Sequence, residues 1–212
     1  ANMAGQHSYQ IAADAKYAIH SFENATTPRR ISLINLSTHT EIKLMEDNAA
    51  LKNKINELGL RNKEFFKVDI GEVVLDAWMI KPKDFDPQKK YPVIFHVYGE
   101  PAGSTVQDNW GTGDNLWHQY LSNQLDYIVI SIDNRGTRVP RGRDFRKSIY
   151  RQIGLLAADD QAKAAKKIVA TYSFIDEKRI GIWGWSGGGQ MSLHCIFRYA
   201  DIYKTAIAVA FV

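Results

Sequence analysis

The sequence predicts an α/β protein, a mostly parallel sheet with flanking helices, preceded by a smaller antiparallel sheet. Three observations carry that prediction. From about Phe65 onward, unbroken apolar strands alternate with helix-length segments, as a parallel sheet covered on both faces requires. Up to residue 46 the pattern is instead alternation of apolar and polar residues broken by turns, the signature of half-buried antiparallel strands. Between the two lies one short segment with helical spacing. The expected organisation is therefore residues 1–46 as antiparallel sheet, 47–64 as a linker helix, and 65–212 as the α/β part.

Each element has its own signal. "YQIAADAKYAIHSF" alternates, "ENATTPRR" reads as a polar loop, and "ISLINLSTHTEIKLM" alternates again. In "DNAALKNKINELGL", Leu51, Ile55 and Leu58 share one helical face, Asp47 or Asn48 can cap the start, and Gly59 stands where a helix should stop. "EFFKVDI" and "VVLDAWMIKP" read as a hairpin pair. Then come strand "PVIFHVY", a helix around "NLWHQYLSNQL", strand "YIVISID", helix "AADDQAKAAKKIVATY", strand "RIGIWGW", a helix from Gly188 to Tyr199, and strand "TAIAVAFV". The lysines of the long helix, Lys163, Lys166 and Lys167, are expected to face water.

Composition limits the function classes. Of 212 residues, 45% are hydrophobic and 24% charged, which suits a folded chain rather than a disordered one. The net charge of +4 comes from 27 basic residues set against 23 acidic ones along the whole chain, too even a balance to argue for nucleic acid as a partner. Arg135, Arg138, Arg141, Arg143, Arg146 and Arg151 crowd one stretch, but no stacking aromatics or binding motif accompany them, so a solvated loop is expected there. Asp133 and Arg135 are expected to shape the turn before it. The one cysteine, Cys195, rules out an internal disulfide and a cysteine-based zinc site. No apolar run approaches the roughly 20 residues that span a bilayer. "ANMAGQHSYQ" holds neither a charged leader nor an apolar core, and because the chain does not begin with Met it is expected to be a piece of something longer.

The stretch "KRIGIWGWSGGGQMSLH" carries the chemistry. Gly184, Ser186 and Gly188 form a G-x-S-x-G pattern, a weak signal alone. Here it follows an apolar strand and opens a helix, the setting in which a nucleophile elbow lifts a serine Oγ above a sheet. The glycines let strand and helix backbones approach more closely than a Cβ allows. Two other readings stand beside it, a serine N-cap at a strand-to-helix turn and a phosphate-binding loop. The second lacks both G-K-[ST] and G-x-G-x-x-G spacing.

"KRIGIWGWSGGG" resembles the nucleophile region of the prolyl oligopeptidase family of serine peptidases, within it the dipeptidyl peptidase IV branch. "KKYPVIFHVYGEPAG", "IVISIDNRGT", "FIDEKRIGIWGWS" and "KTAIAVAFV" resemble further segments of that family in the same order. The resemblance covers about Phe65 to Val212. It implies a partial α/β-hydrolase fold, with residues 1–46 as the end of the β-propeller that precedes it. It also implies that Ser186 attacks the scissile carbonyl, while the amide of Gly187 and the phenol of Tyr98 donate to the oxyanion, at the strand end where such folds place their sites. Without the resemblance, Tyr98 reads rather as a strand-end aromatic packed on the core. The implied activity is release of N-terminal dipeptides after Pro or Ala from a peptide substrate, with no cofactor or metal. An endo-acting oligopeptidase, an acylaminoacyl peptidase, an esterase and a non-catalytic binding protein remain alternatives on the same fold. A homodimer of the full-length parent and a periplasmic or extracellular location fit the family.

Two departures from the family pattern touch the site. Glu100 stands in "YGEP" where many relatives have a second small residue, and Gly187 stands where mammalian members carry a tyrosine lining the specificity pocket. The triad is also incomplete. In this fold the order is Ser, then Asp, then His, and nothing after Ser186 fits. His194 is eight residues along the helix, about 12 Å of rise away, and Asp201 precedes the last strand. His96 and His118 read as structural, and His7, His20 and His39 lie in the propeller-like part. The chain is thus expected to stop before its acid and base, and to be inactive and aggregation-prone alone, because "TAIAVAFV" would leave an unpaired apolar edge.

Overall fold

The computed structural model describes residues 3–111 and 113–211. They form two compact units, one holding the chain up to Asn62 together with Gln107–Trp117, the other Lys63–Val106 and the chain from His118.

The first unit is a four-stranded antiparallel meander of β1 (Gln6–Ile11), β2 (Tyr17–Asn24), β3 (Thr27–Asn35) and β4 (Thr40–Glu46), paired in chain order. Each connection is set by a short polar side chain that folds back on the backbone. Asp14 Oδ1 accepts from the amide of Lys16, Asn24 Oδ1 from that of Thr26, and Asn35 Oδ1 from that of Ser37, each at 3.0 Å. The Asn24 turn is so tight that β3 begins at Thr27, and most of the expected "ENATTPRR" loop is strand. Arg30 then reaches across to Glu41 at 2.7 Å. Ala18, Phe22 and Ile34 form the buried side. Helix α1 (Ala49–Glu57) starts where Asp47 Oδ1 accepts from Ala49 N–H at 2.9 Å and ends before Gly59 at φ 63°. None of its residues is buried, so the Leu51–Ile55–Leu58 face lies open among the described residues.

The second unit is built on a six-stranded sheet. Its strands are β5 (Glu64–Asp69), β6 (Val74–Ile80), β7 (Tyr91–His96), β8 (Ile128–Asp133), β9 (Ile175–Trp185) and β10 (Thr205–Val209), in the spatial order β10-β9-β7-β8-β6-β5. The four strands β10, β9, β7 and β8 run parallel, and β6 and β5 add an antiparallel edge. Helices α2 (Gly113–Leu125), α3 (Gly142–Lys147), α4 (Ile153–Thr171) and α5 (Gly187–Arg198) connect them. The short α3 lies in the arginine-rich stretch expected to be loop.

Successive residues of each strand go to opposite faces of the sheet. Val93, Phe95, Ile130, Ile132, Ile180 and Ile182 pack with α4 and α5 in the larger core. The alanines of α4, Ala157, Ala158, Ala162, Ala164 and Ala165, are buried there, small enough to bring the helix close to the sheet. On the other face Ile80, Ile94, Val129, Trp78 and Trp183 meet Leu121 of α2. Burial on both sides explains why these strands read as continuous apolar runs.

Candidate active site

The bend between β9 and α5 consists of one residue. Ser186 has φ 55° and ψ −122°, a conformation that L-residues other than glycine rarely adopt and that costs about 1–3 kcal/mol. Two backbone hydrogen bonds hold it, Ser186 N–H to Val209 O at 2.9 Å and Gln190 N–H to Ser186 O at 3.1 Å. The sequence left open whether this serine merely caps the helix. Ser186 does occupy the cap position of α5, yet its side chain makes no capping hydrogen bond, and its dihedrals lie outside the extended region typical of N-caps. The residue is half-buried, and its hydroxyl makes no hydrogen bond among the described residues.

Close approach of backbones makes the bend possible. A Cβ on Gly184 would strike Val97 O and lie 2.5 Å from the carbonyl carbon and oxygen of Gly188. A Cβ on Gly188 would likewise strike Val97 O and come within 3.2 Å of Tyr98 Cα. The elbow is therefore wedged against the end of β7, where Val97 N–H still bonds Trp183 O at 3.0 Å. The backbone at Tyr98 thus lies against the start of α5, at this end of the sheet. The Tyr98 ring lies over Gly103, where a Cβ would be 3.1 Å from Cδ1.

The loop after Tyr98 is fastened by buried polar groups. Asp133, at the end of β8, accepts from Thr105 N–H at 2.9 Å and Val106 N–H at 3.2 Å. Burial outweighs these bonds and pushes its carboxyl up to about 6. Trp78 Nε1 donates to Thr105 O at 2.8 Å. Asn134 Nδ2 donates to Gly99 O at 3.1 Å, and Asn134 Oδ1 accepts from Gln161 Nε2 at 3.0 Å. Next to it the Arg135 guanidinium forks onto Asp160, with Nη2 to Oδ1 at 2.6 Å and Nε to Oδ2 at 3.0 Å, and also meets Glu72 at 2.8 Å. Asp160 is fully buried, and its hydrogen bonds raise the Arg135 pKa, keeping that side chain charged.

Asp133 and Arg135 thus shape their turn as the sequence suggested, whereas Asn134, Asp160 and Gln161 were not singled out. A signal existed. Asp160 and Gln161 fall at helical spacing from Ala157, Ala164 and Ile168, so polar groups sit on the apolar stripe of α4, where they need partners.

The histidines lie elsewhere. His96 and His118 cluster with Trp78 and Trp183, His96 stacked on Trp183 and the two histidine rings 4.7 Å apart. Burial pulls His96 down to about 4 and His118 well below the usual histidine range. His194 packs on α4, its Nε2 2.6 Å from where a Gly154 Cβ would stand. Asp201 pairs with Lys166 at 3.0 Å. Cys195 is buried, its thiol pushed up to about 12 by that burial. Among the described residues no three His, Cys, Asp or Glu are grouped to hold a metal ion, and no helix is long and apolar enough to cross a membrane.

The chain is similar to known proteins in sequence and fold. Residues 113–212 match the prolyl oligopeptidase family. The crystal structure of Porphyromonas gingivalis dipeptidyl peptidase 4 superposes with a TM-score of 0.93 at 34% identity, covering 100% of this chain and 29% of that one. Human prolyl endopeptidase FAP is 36% identical over 173 residues, 82% of this chain and 22% of its own. A probable dipeptidyl peptidase 4 of Emericella nidulans is 35% identical over 189 residues, 87% of this chain and 24% of its own. The chain spans about a quarter of the length of these curated relatives.

Proposed function

Because the chain belongs to the prolyl oligopeptidase family, we propose that it carries the nucleophile and oxyanion hole of a serine peptidase of the dipeptidyl peptidase IV type. The observation that carries this reading is the strained, uncapped Ser186 at the head of α5. Ser186 Oγ attacks the scissile carbonyl. The amide of Gly187 and the phenol of Tyr98 donate to the oxygen as it becomes negative, and fixed donors of this kind lower such barriers by several kcal/mol. The leaving amine departs, and water then hydrolyses the acyl-enzyme. The proton of Ser186 must pass to a histidine oriented by a carboxylate. His96, His118 and His194 are held elsewhere, so we assign the histidine and its carboxylate to the whole protein and expect this chain alone to be inactive.

The substrate we propose is a peptide with a free amino terminus, cleaved after its second residue, with Pro or Ala preferred there. The support is the dipeptidyl peptidase relatives. A relative named a prolyl endopeptidase favours the second reading, internal cleavage. Mass spectrometry of products from an X-Pro peptide and its N-acetylated twin, digested by the full-length protein, separates the two. Free dipeptide from the first, and cleavage of the second at least about a hundredfold slower, is expected, with loss of at least about a thousandfold in kcat for Ser186→Ala. Internal cleavage of the acetylated peptide as fast as cleavage of the free one would replace the exopeptidase assignment.

A further inference from the structure

Glu100 and Gly187, the two departures from the family pattern, touch each other. A Cβ on Gly187 would strike the carboxyl carbon of Glu100 and lie 2.5 Å from both of its oxygens. The carboxylate fills the space that a side chain after Ser186 would take. Gly187 has no positive φ that would call for glycine, and glycine within a helix is less favourable than alanine. With glycine at 187 the Glu100 carboxylate occupies this place, and a Cβ would push it aside.

The Glu100 carboxylate makes no ion pair or hydrogen bond among the described residues. It therefore stands unneutralised beside the amide proposed to receive the oxyanion. Two negative charges so placed repel, and the repulsion grows as substrate excludes water. A cationic nitrogen on the acyl part of the substrate reverses that penalty.

We infer that Glu100 is a specificity-determining residue, which selects acyl groups bearing a cationic nitrogen and whose place is opened by Gly187. The inference rests on the peptidase reading above. The cation is either a free α-ammonium or a basic side chain at the residue whose carbonyl is attacked; the chemistry recognised is the same.

The test uses the full-length protein and four coumarylamides, Ala-Pro, N-acetyl-Ala-Pro, Ala-Lys and N-acetyl-Ala-Lys. In Glu100→Gln the kcat/KM for cationic substrates should fall at least about tenfold relative to N-acetyl-Ala-Pro, mostly through KM. Glu100→Lys should deepen the loss, and Gly187→Ala, which displaces the carboxylate, should change selectivity in the same direction. In the wild type, added salt should raise KM for the cationic substrates more than for the neutral one, a readout that needs no variant. A loss that follows acetylation identifies the amino terminus as the cation, and one that follows lysine identifies the side chain; either supports the inference. Equal factors on all four substrates, with Ser186 still labelled by a fluorophosphonate, would overturn the role of Glu100 alone. No turnover and no labelling in the wild type would overturn the peptidase reading and this inference with it.

Discussion

At Ser186 the backbone carries strain that the side chain does not repay locally, since φ 55° is tolerated without any capping hydrogen bond in return. Glycine adopts this conformation freely, and alanine does not. Ser186→Gly should therefore be more stable than Ser186→Ala by about 1 kcal/mol, read as the difference in their urea midpoints, although both remove the hydroxyl. Equal stability would mean that the bend is relaxed, and the argument that function holds it there would fail. The sequence already pointed to this residue because G-x-S-x-G follows "RIGIW" and precedes a helix pattern. It could not separate a nucleophile elbow from a helix cap; the dihedrals and the missing capping bond argue against the cap.

At the scale of elements, the Tyr98 loop is positioned from behind, by β8 and α4. Asp160 holds Arg135, the neighbouring Asn134 ties down Gly99, and Asp133 ties down Thr105 and Val106. Asp160→Ala leaves the Arg135 charge without its buried partner and should cost about 3 kcal/mol in chemical denaturation. Its kcat should fall with it as Tyr98 loses its support. A loss below 1 kcal/mol would show that Glu72 suffices to hold Arg135. The strands and helices around this network were legible because their periods are clean. The network was not, since it joins positions far apart in sequence, 99 with 134 and 135 with 160, and a lone sequence encodes none of that pairing. The "ENATTPRR" loop failed differently, because Asn24 closes the turn within two residues and leaves Thr27 and Pro28 to the strand.

For the molecule as a whole, buried titratable groups set an acid limit. His96 titrates near 4 when folded against about 6.5 unfolded, so the unfolded chain binds more protons between those values and stability falls on acidification. His118 acts in the same direction. Asp133 opposes them: its folded value near 6 lies above 3.8, so its contribution is lost as pH rises from 3.8 to 6. Two groups outweigh one, and the urea midpoint should drop steadily from pH 6.5 to pH 4, with His96 alone contributing about 3 kcal/mol. Asp133→Asn should steepen the drop, and a flat profile would refute the burial argument. The central claim, that Ser186 is the nucleophile, is tested most directly by treating the full-length protein with a fluorophosphonate and mapping the adduct by mass spectrometry. The account predicts one phosphonylated residue, Ser186, and no adduct in Ser186→Ala; an adduct on another serine, or none in the wild type, would contradict it.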